Sequence, residues 1–215
     1  GVLSEEGSQE CPTTPAYWVV DPLDGTTNFA AGIPYWAISI ARFVDGEPAE
    51  AFLDIPSLRQ RIVAIRGQGA WRNQKRLTPE SRVAAGSSCV SLCSRSIRVL
   101  QKRPDQSFPG KIRLLGVASL NLVSVAMGQT AGALEATPKI WDLAAAWLVL
   151  TELDCPLIWL GPHPAHLEPG RDLSEMGFPV VAAGSRKQLE RLAPWGEFLL
   201  KSCDAQVKGE SCKKG

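Results

Sequence analysis

The sequence predicts an α/β protein, and three kinds of stretch carry that prediction. Residues 17–20 form an apolar run that reads as a buried strand and ends abruptly in Asp21, Pro22 and Asp24. Residues 35–44, 47–54 and 60–65 alternate apolar with polar or small side chains between turn signals, as successive antiparallel strands do. Residues 120–127 and 143–153 switch to helical spacing, rich in Leu, Ala and other small residues. With 215 residues, 45% of them hydrophobic, the chain can bury a sizeable core as one unit or as two closely packed halves.

Taken in order, the acidic Ser4-Glu5-Glu6-Gly7 reads on its own as a solvated turn. Pro22 biases Asp21 towards an extended backbone and Gly25 lets the chain turn after Asp24, so both carboxylates can face one point. Oxygen ligands clustered in this way suit a hard cation such as Mg²⁺, and the amides of Gly25 and Thr26 are available to a phosphate. A calcium loop is excluded, because Leu23 and Gly25 occupy positions where it needs acidic or amide ligands. Covalent aspartyl catalysis needs a second aspartate two positions after the first, and Pro22-Leu23 intervene here.

Asp45-Gly46 marks a tight turn between two of the strands, and residues 67–73 make another hairpin. The glycines of that hairpin lack the third glycine and the helix of a dinucleotide fingerprint. Residues 78–108 are less regular. Within them, 89–93 read as a short buried strand, and no histidine adjoins its cysteines as a nucleophilic thiol would require. The two histidines, His163 and His166, sit in a proline-rich loop without the two further ligands of a zinc site. Residues 111–115 read as a strand leading into Gly116-Val117-Ala118-Ser119, and Glu135 ends another apolar run. Asp142 reads as the N-cap of the helix that follows it. Residues 157–160 and 180–183 are the remaining strands, 187–192 the closing helix, and the lysine-rich 201–215 a disordered tail.

A net charge of +1 with interspersed signs gives no electrostatic case for nucleic acid or an anionic membrane. No apolar run approaches the ~20 residues that span a bilayer, and the start of the chain is polar and unlike a signal peptide. Six cysteines without a Cys-x-x-Cys pair favour reduced thiols and a cytoplasmic location, with Cys203 and Cys212 able to pair under oxidation.

The segment Asp21-Pro22-Leu23-Asp24-Gly25-Thr26-Thr27-Asn28-Phe29 resembles the first signature of the inositol monophosphatase family, the Mg²⁺-dependent, lithium-sensitive phosphomonoesterases. Trp141-Asp142-Leu143-Ala144-Ala145-Ala146 resembles the second signature, and Ser4-Glu5-Glu6-Gly7 the upstream acidic pair. The resemblance implies a layered αβαβα sandwich of the type shared with fructose-1,6-bisphosphatase. A larger antiparallel-sheet half would cover residues 1–110 and a smaller α/β half residues 111–200. The family's preceding pair of helices is not in this sequence, which implies an N-terminally shortened fold, as a fragment or as a short member.

The same resemblance implies two or three Mg²⁺ per site, held by Glu5, Asp21, the Leu23 carbonyl, Asp24 and Asp142. Glu5 and Thr26 would be catalytic, orienting the attacking water. Substrate contacts would come from Leu23, Asp24, Gly25, Thr26, Gly116, Val117, Ala118, Glu135 and Asp142, with Glu135 in register for the inositol hydroxyls. Val117 departs from the Thr or Ser often found at its turn, and Glu152-Leu153-Asp154-Cys155-Pro156 replaces a Glu-Ala-Gly-Gly turn. The implied activity is hydrolysis of a small phosphate monoester, myo-inositol 1-phosphate first, with histidinol phosphate or another sugar phosphate as the alternative. A catalytically weak, metal-binding regulatory member is the reading from a different class. The implied assembly is a homodimer, and the implied partner a small phosphorylated substrate, with neither nucleic acid nor membrane.

Overall fold

Alternation of inward and outward side chains builds a seven-stranded sheet from the first 77 residues. Its strands are β1 Val2–Ser4, β2 Ala16–Asp24, β3 Ala37–Val44, β4 Glu47–Ile55, β5 Gln60–Ile65, β6 Gly69–Arg72 and β7 Lys75–Leu77. They lie in chain order, with β1 parallel to β2 and every other neighbouring pair antiparallel. The structure, a computed structural model, describes residues 1–83, 87–97, 100 and 106–210. Asp45 and Gly46 both have positive φ, 54° and 81°, which is the turn that an Asp-Gly pair favours between strands.

A second sheet has five strands, β8 Cys89–Leu92, β9 Lys111–Arg113, β10 Gly132–Glu135, β11 Leu157–Trp159 and β12 Val180–Ala183. Their order is β11-β12-β10-β8-β9, and the three neighbours β10, β8 and β9 are parallel. The carboxyl ends of those three strands therefore open onto one edge. Because β8 belongs to this sheet, the larger half ends with β7 and not near residue 110; the irregular stretch between them hid the boundary in the sequence.

The helices are α1 Thr26–Ala30, α2 Pro79–Val83, α3 Ala118–Ala126, α4 Ile140–Glu152 and α5 Arg186–Glu210. Helices α3 and α4 fill the space between the sheets. Ten of the thirteen residues of α4 are buried, as a helix covered on all sides requires, and its alanines at 144–146 allow close approach to the larger sheet. Phe43 anchors this layer, stacked on Tyr17 at 5.3 Å and edge-on to Trp147 at 6.0 Å. Helix α5 covers the far face of the smaller sheet, where Leu192 and Trp195 pack on Leu134, Val181 and Ala183. The result is the expected α/β sandwich, with four layers supplied by the described residues. Helix α5 reaches Glu210, so the stretch expected to be disordered from residue 201 is helical to that point. Its Lys, Ala, Gln and Glu favour helix once a preceding turn is formed. Residues 211–215 lie outside the described residues.

The altered turn after α4 closes well. Cys155 N–H donates to Leu150 O and Asp154 N–H to Thr151 O, a Schellman pair, with Asp154 in the left-handed region at φ 53° where glycine is usual. The Glu152 carboxylate accepts from Gly67 N–H and Gly69 N–H at 2.8 and 2.7 Å, tying the end of α4 to the β5–β6 hairpin. Replacing Asp154→Gly removes the left-handed strain and raises stability by about 1 kcal/mol in urea unfolding, whereas Asp154→Val lowers it.

Candidate active site

Residues in a strand alternate faces, so Asp21 and Asp24, three apart, should point to opposite sides. They do not. The sequence suggested that the strand stops before them; instead β2 runs on through Asp24, with a bulge. Asp21 pairs with Ser39 and Asp24 with Ala37, so one extra residue of β2 is absorbed and both carboxylates turn inwards. Asp21 is 1% exposed and Asp24 8%.

Each carboxylate is held by a backbone donor, leaving further lone pairs free. Asp21 Oδ1 accepts from Leu23 N–H at 2.8 Å. Asp24 Oδ2 accepts from Ser119 N–H at 2.7 Å, capping α3 across the interface between the two sheets, where Val117 at the N-cap offers no side-chain acceptor. Asp142 is the third residue of α4 and not its N-cap, and its Oδ2 accepts from Lys139 N–H at 2.8 Å. Ser39 Oγ donates to Trp141 O at 3.2 Å, which seats the first turn of α4 beside the strand pair that carries Asp21.

Among the described residues, Asp21, Asp24 and Asp142 form the group placed to hold an ion, with ligand oxygens within 4.8 Å of one another. Their surroundings disfavour charge. Burial, then the neighbouring Asp24 carboxylate, pushes Asp21 up to about 9. Burial and the Asp24 charge raise Asp142 to about 8, and burial raises Asp24 itself against its hydrogen bonds to the start of α3. Glu135, 2% exposed, is raised by burial to about 8 although it accepts from Asn121 Nδ2 at 2.8 Å. Hard oxygen donors converging at this separation, none with a cationic partner among the described residues, fit a divalent cation of the Mg²⁺ or Ca²⁺ type.

A cleft of about 410 Å³ gathers every site residue named from the sequence: Glu5, Asp21, Leu23, Asp24, Gly25, Thr26, Gly116, Val117, Ala118, Glu135 and Asp142. Gly25 has φ 95°, and a Cβ there would meet Val117 Cγ2 at 2.8 Å, so the turn must be glycine. Thr26 Oγ1 donates to Leu23 O at 3.0 Å. Asn28 Nδ2 donates to both Tyr35 O and Leu115 O at 2.8 Å, fastening α1 to the loop after β9. The same cleft is lined by Thr27, Cys93, Ser94, Arg95, Asn121, Thr137 and Pro138, none of which was named as a site residue from the sequence. Cys93, Ser94 and Arg95 follow β8 in a stretch without periodicity, and only the parallel pairing of β8 with β10 places them here. The histidines of the proline-rich loop are structural: His163 Nδ1 accepts from Ala165 N–H and its ring packs on Trp147 and Trp159.

Residues 1–194 match the model of the inositol monophosphatase family. The chain is similar to an inositol-1-monophosphatase from Rhizobium meliloti, 36% identical over 160 residues that cover 71% of this chain and 60% of that protein. It thus spans less than two thirds of the length of that curated relative. It is also similar to a histidinol-phosphatase from Mycobacterium tuberculosis, 34% identical over 179 residues, 76% of this chain and 68% of that one. Among solved structures, an IMPase from Thermotoga maritima superposes with a TM-score of 0.73 at 23% identity, covering 93% of this chain and 75% of that chain, a likeness of fold.

Carboxylic acids whose folded pKa is raised from the usual ~4 bind more protons folded than unfolded between the two values, so stability falls as pH rises through that window. Without divalent cations, the melting temperature should drop between about pH 4 and pH 9. Asp21→Asn should raise the metal-free melting temperature at pH 8 and flatten this slope, as followed by circular dichroism.

Proposed function

The chain belongs to the inositol monophosphatase family, and on that premise we propose that it hydrolyses a small phosphate monoester with divalent cations held by its carboxylates, myo-inositol 1-phosphate being the first substrate. The observation that carries this reading is the convergence of Asp21, Asp24 and Asp142 within 4.8 Å at a cleft that Glu5 and Glu135 also line.

Glu5, Asp21, the Leu23 carbonyl, Asp24 and Asp142 would hold Mg²⁺, which when bound would supply compensating charge and acidify a water towards neutral pH. Thr26 has committed its hydroxyl proton to Leu23 O, so its lone pairs remain to accept from a water and orient it towards phosphorus. The Glu5 carboxylate, in the same cleft, takes the proton that this water gives up. Gly25, Thr26 and the loop over Gly116, Val117 and Ala118 bound the space for the phosphate. Water is the nucleophile, so no phosphorylated side chain forms. Glu135 closes the far side and accepts from hydroxyls of a polyol. Similarity to a histidinol-phosphatase supports histidinol phosphate as the second reading, with Glu135 then facing an ammonium group.

Phosphate release from myo-inositol 1-phosphate and from histidinol phosphate, with Mg²⁺ titrated and lithium added, tests the reading. Turnover should require Mg²⁺ and fall with lithium. Asp24→Asn should lower kcat/KM by more than ~100-fold, beyond the loss typical of residues that only support a ligand. Near-normal turnover by this variant, or metal-independent turnover, would contradict the assignment.

A further inference from the structure

Three parallel strands, β10, β8 and β9, send the loops at their carboxyl ends to one cleft. The loop after β9 carries Gly116, Val117 and Ala118, and the loop after β10 carries Thr137 and leads to Asp142. The loop after β8 begins with a 3-10 turn, Ser94–Ser96, which places Arg95 at the cleft. Ligands of open α/β sheets sit at such strand ends.

Arg95 is the only basic residue among the described residues that line the cleft, which is otherwise rich in carboxylates. It nonetheless pairs with none of them. Among the described residues the ion pairs are Arg42–Glu50 and Arg61–Asp54, both elsewhere. Arg95 instead donates Nη1 to the Thr137 hydroxyl, a neutral acceptor that fixes the guanidinium while leaving its charge uncompensated. Among the described residues the Nε and Nη2 edge has no hydrogen-bond partner, and such an edge matches the oxygens of a phosphate or carboxylate in two parallel hydrogen bonds. An exposed arginine is ordinarily just solvated. Here it is tethered by Thr137 in a cleft lined by five carboxylates and pairs with none of them, which leaves the cation for a ligand.

We propose that Arg95 is a specificity-determining residue that binds a second anionic group on the substrate, so that phosphomonoesters bearing another phosphate or a carboxylate are favoured over those whose only anionic group is the scissile phosphate. This rests on the phosphomonoesterase reading of the same cleft. The Thr137 hydrogen bond positions the guanidinium, and the carboxylates with their cations take the scissile phosphate.

The test uses the 215-residue chain with Mg²⁺ and two matched pairs: myo-inositol 1-phosphate against myo-inositol 1,4-bisphosphate, and glycerol 3-phosphate against 3-phosphoglycerate. Arg95→Gln should lower kcat/KM for the member bearing the second anionic group in at least one pair about 10–100-fold more than for its partner, chiefly through KM, and Arg95→Lys should restore part of the difference. Which pair responds shows whether phosphate or carboxylate is read. Unchanged ratios in both pairs would overturn the proposal. If none of the four esters is hydrolysed, the phosphatase reading falls, and calorimetric titration of the same compounds decides the matter of Arg95. Tighter binding of a compound with a second anionic group, abolished by Arg95→Gln, upholds its role, and equal binding removes it.

Discussion

Buried or half-buried carboxylates within 4.8 Å of one another repel when charged, and among the described residues no cation is paired with them; much of the surrounding architecture serves to hold them there. Three separate backbone amides do this. Leu23 N–H belongs to the bulge itself, Ser119 N–H to the start of α3, and Lys139 N–H to the start of α4. Each takes one oxygen and leaves others free. The helix starts also direct partial positive charge at the cluster, which lessens the repulsion without cancelling it. Protons or metal ions must supply the rest.

The same contacts join the two halves of the fold. Asp24 reaches 95 residues along the chain to cap α3, Asn28 bridges β2's turn to the loop after β9, and Ser39 fastens α4 to β3. The cleft therefore exists only when both sheets are packed on the α3–α4 layer. Phe43 and Trp147 in that layer are core residues by burial, yet they set the distance between the strand that carries Asp21 and the helix that carries Asp142.

Much of this was legible in the sequence. Alternation at 35–44, 47–54 and 60–65 located β3, β4 and β5 within two residues, and the helical spacing at 120–127 and 143–153 located α3 and α4 within three. Motif residues Glu5, Asp21, Asp24 and Asp142 all arrive at one cleft. What was hidden depended on pairing. A bulge is a mismatch between two strands, so the strand was expected to end at Val20, whereas the chain stays in the sheet through Asp24 and turns at Gly25. Asp142 looked like an N-cap because Lys139, with its extended backbone, gives no sign of holding that position. Cys93, Ser94 and Arg95 carry no periodic signal and become neighbours of Glu135 only through the register of β8 on β10.

Calorimetric titration of Mg²⁺ at pH 7, in two buffers of different ionisation enthalpy, probes the cluster as a whole. Carboxyls raised to about 8 and 9 hold protons at that pH, and a cation must displace them to bind. Protons should be released on binding, and fewer of them from Asp21→Asn. Mg²⁺ that fails to bind, or binds with no proton release, would contradict a cluster built to exchange protons for metal.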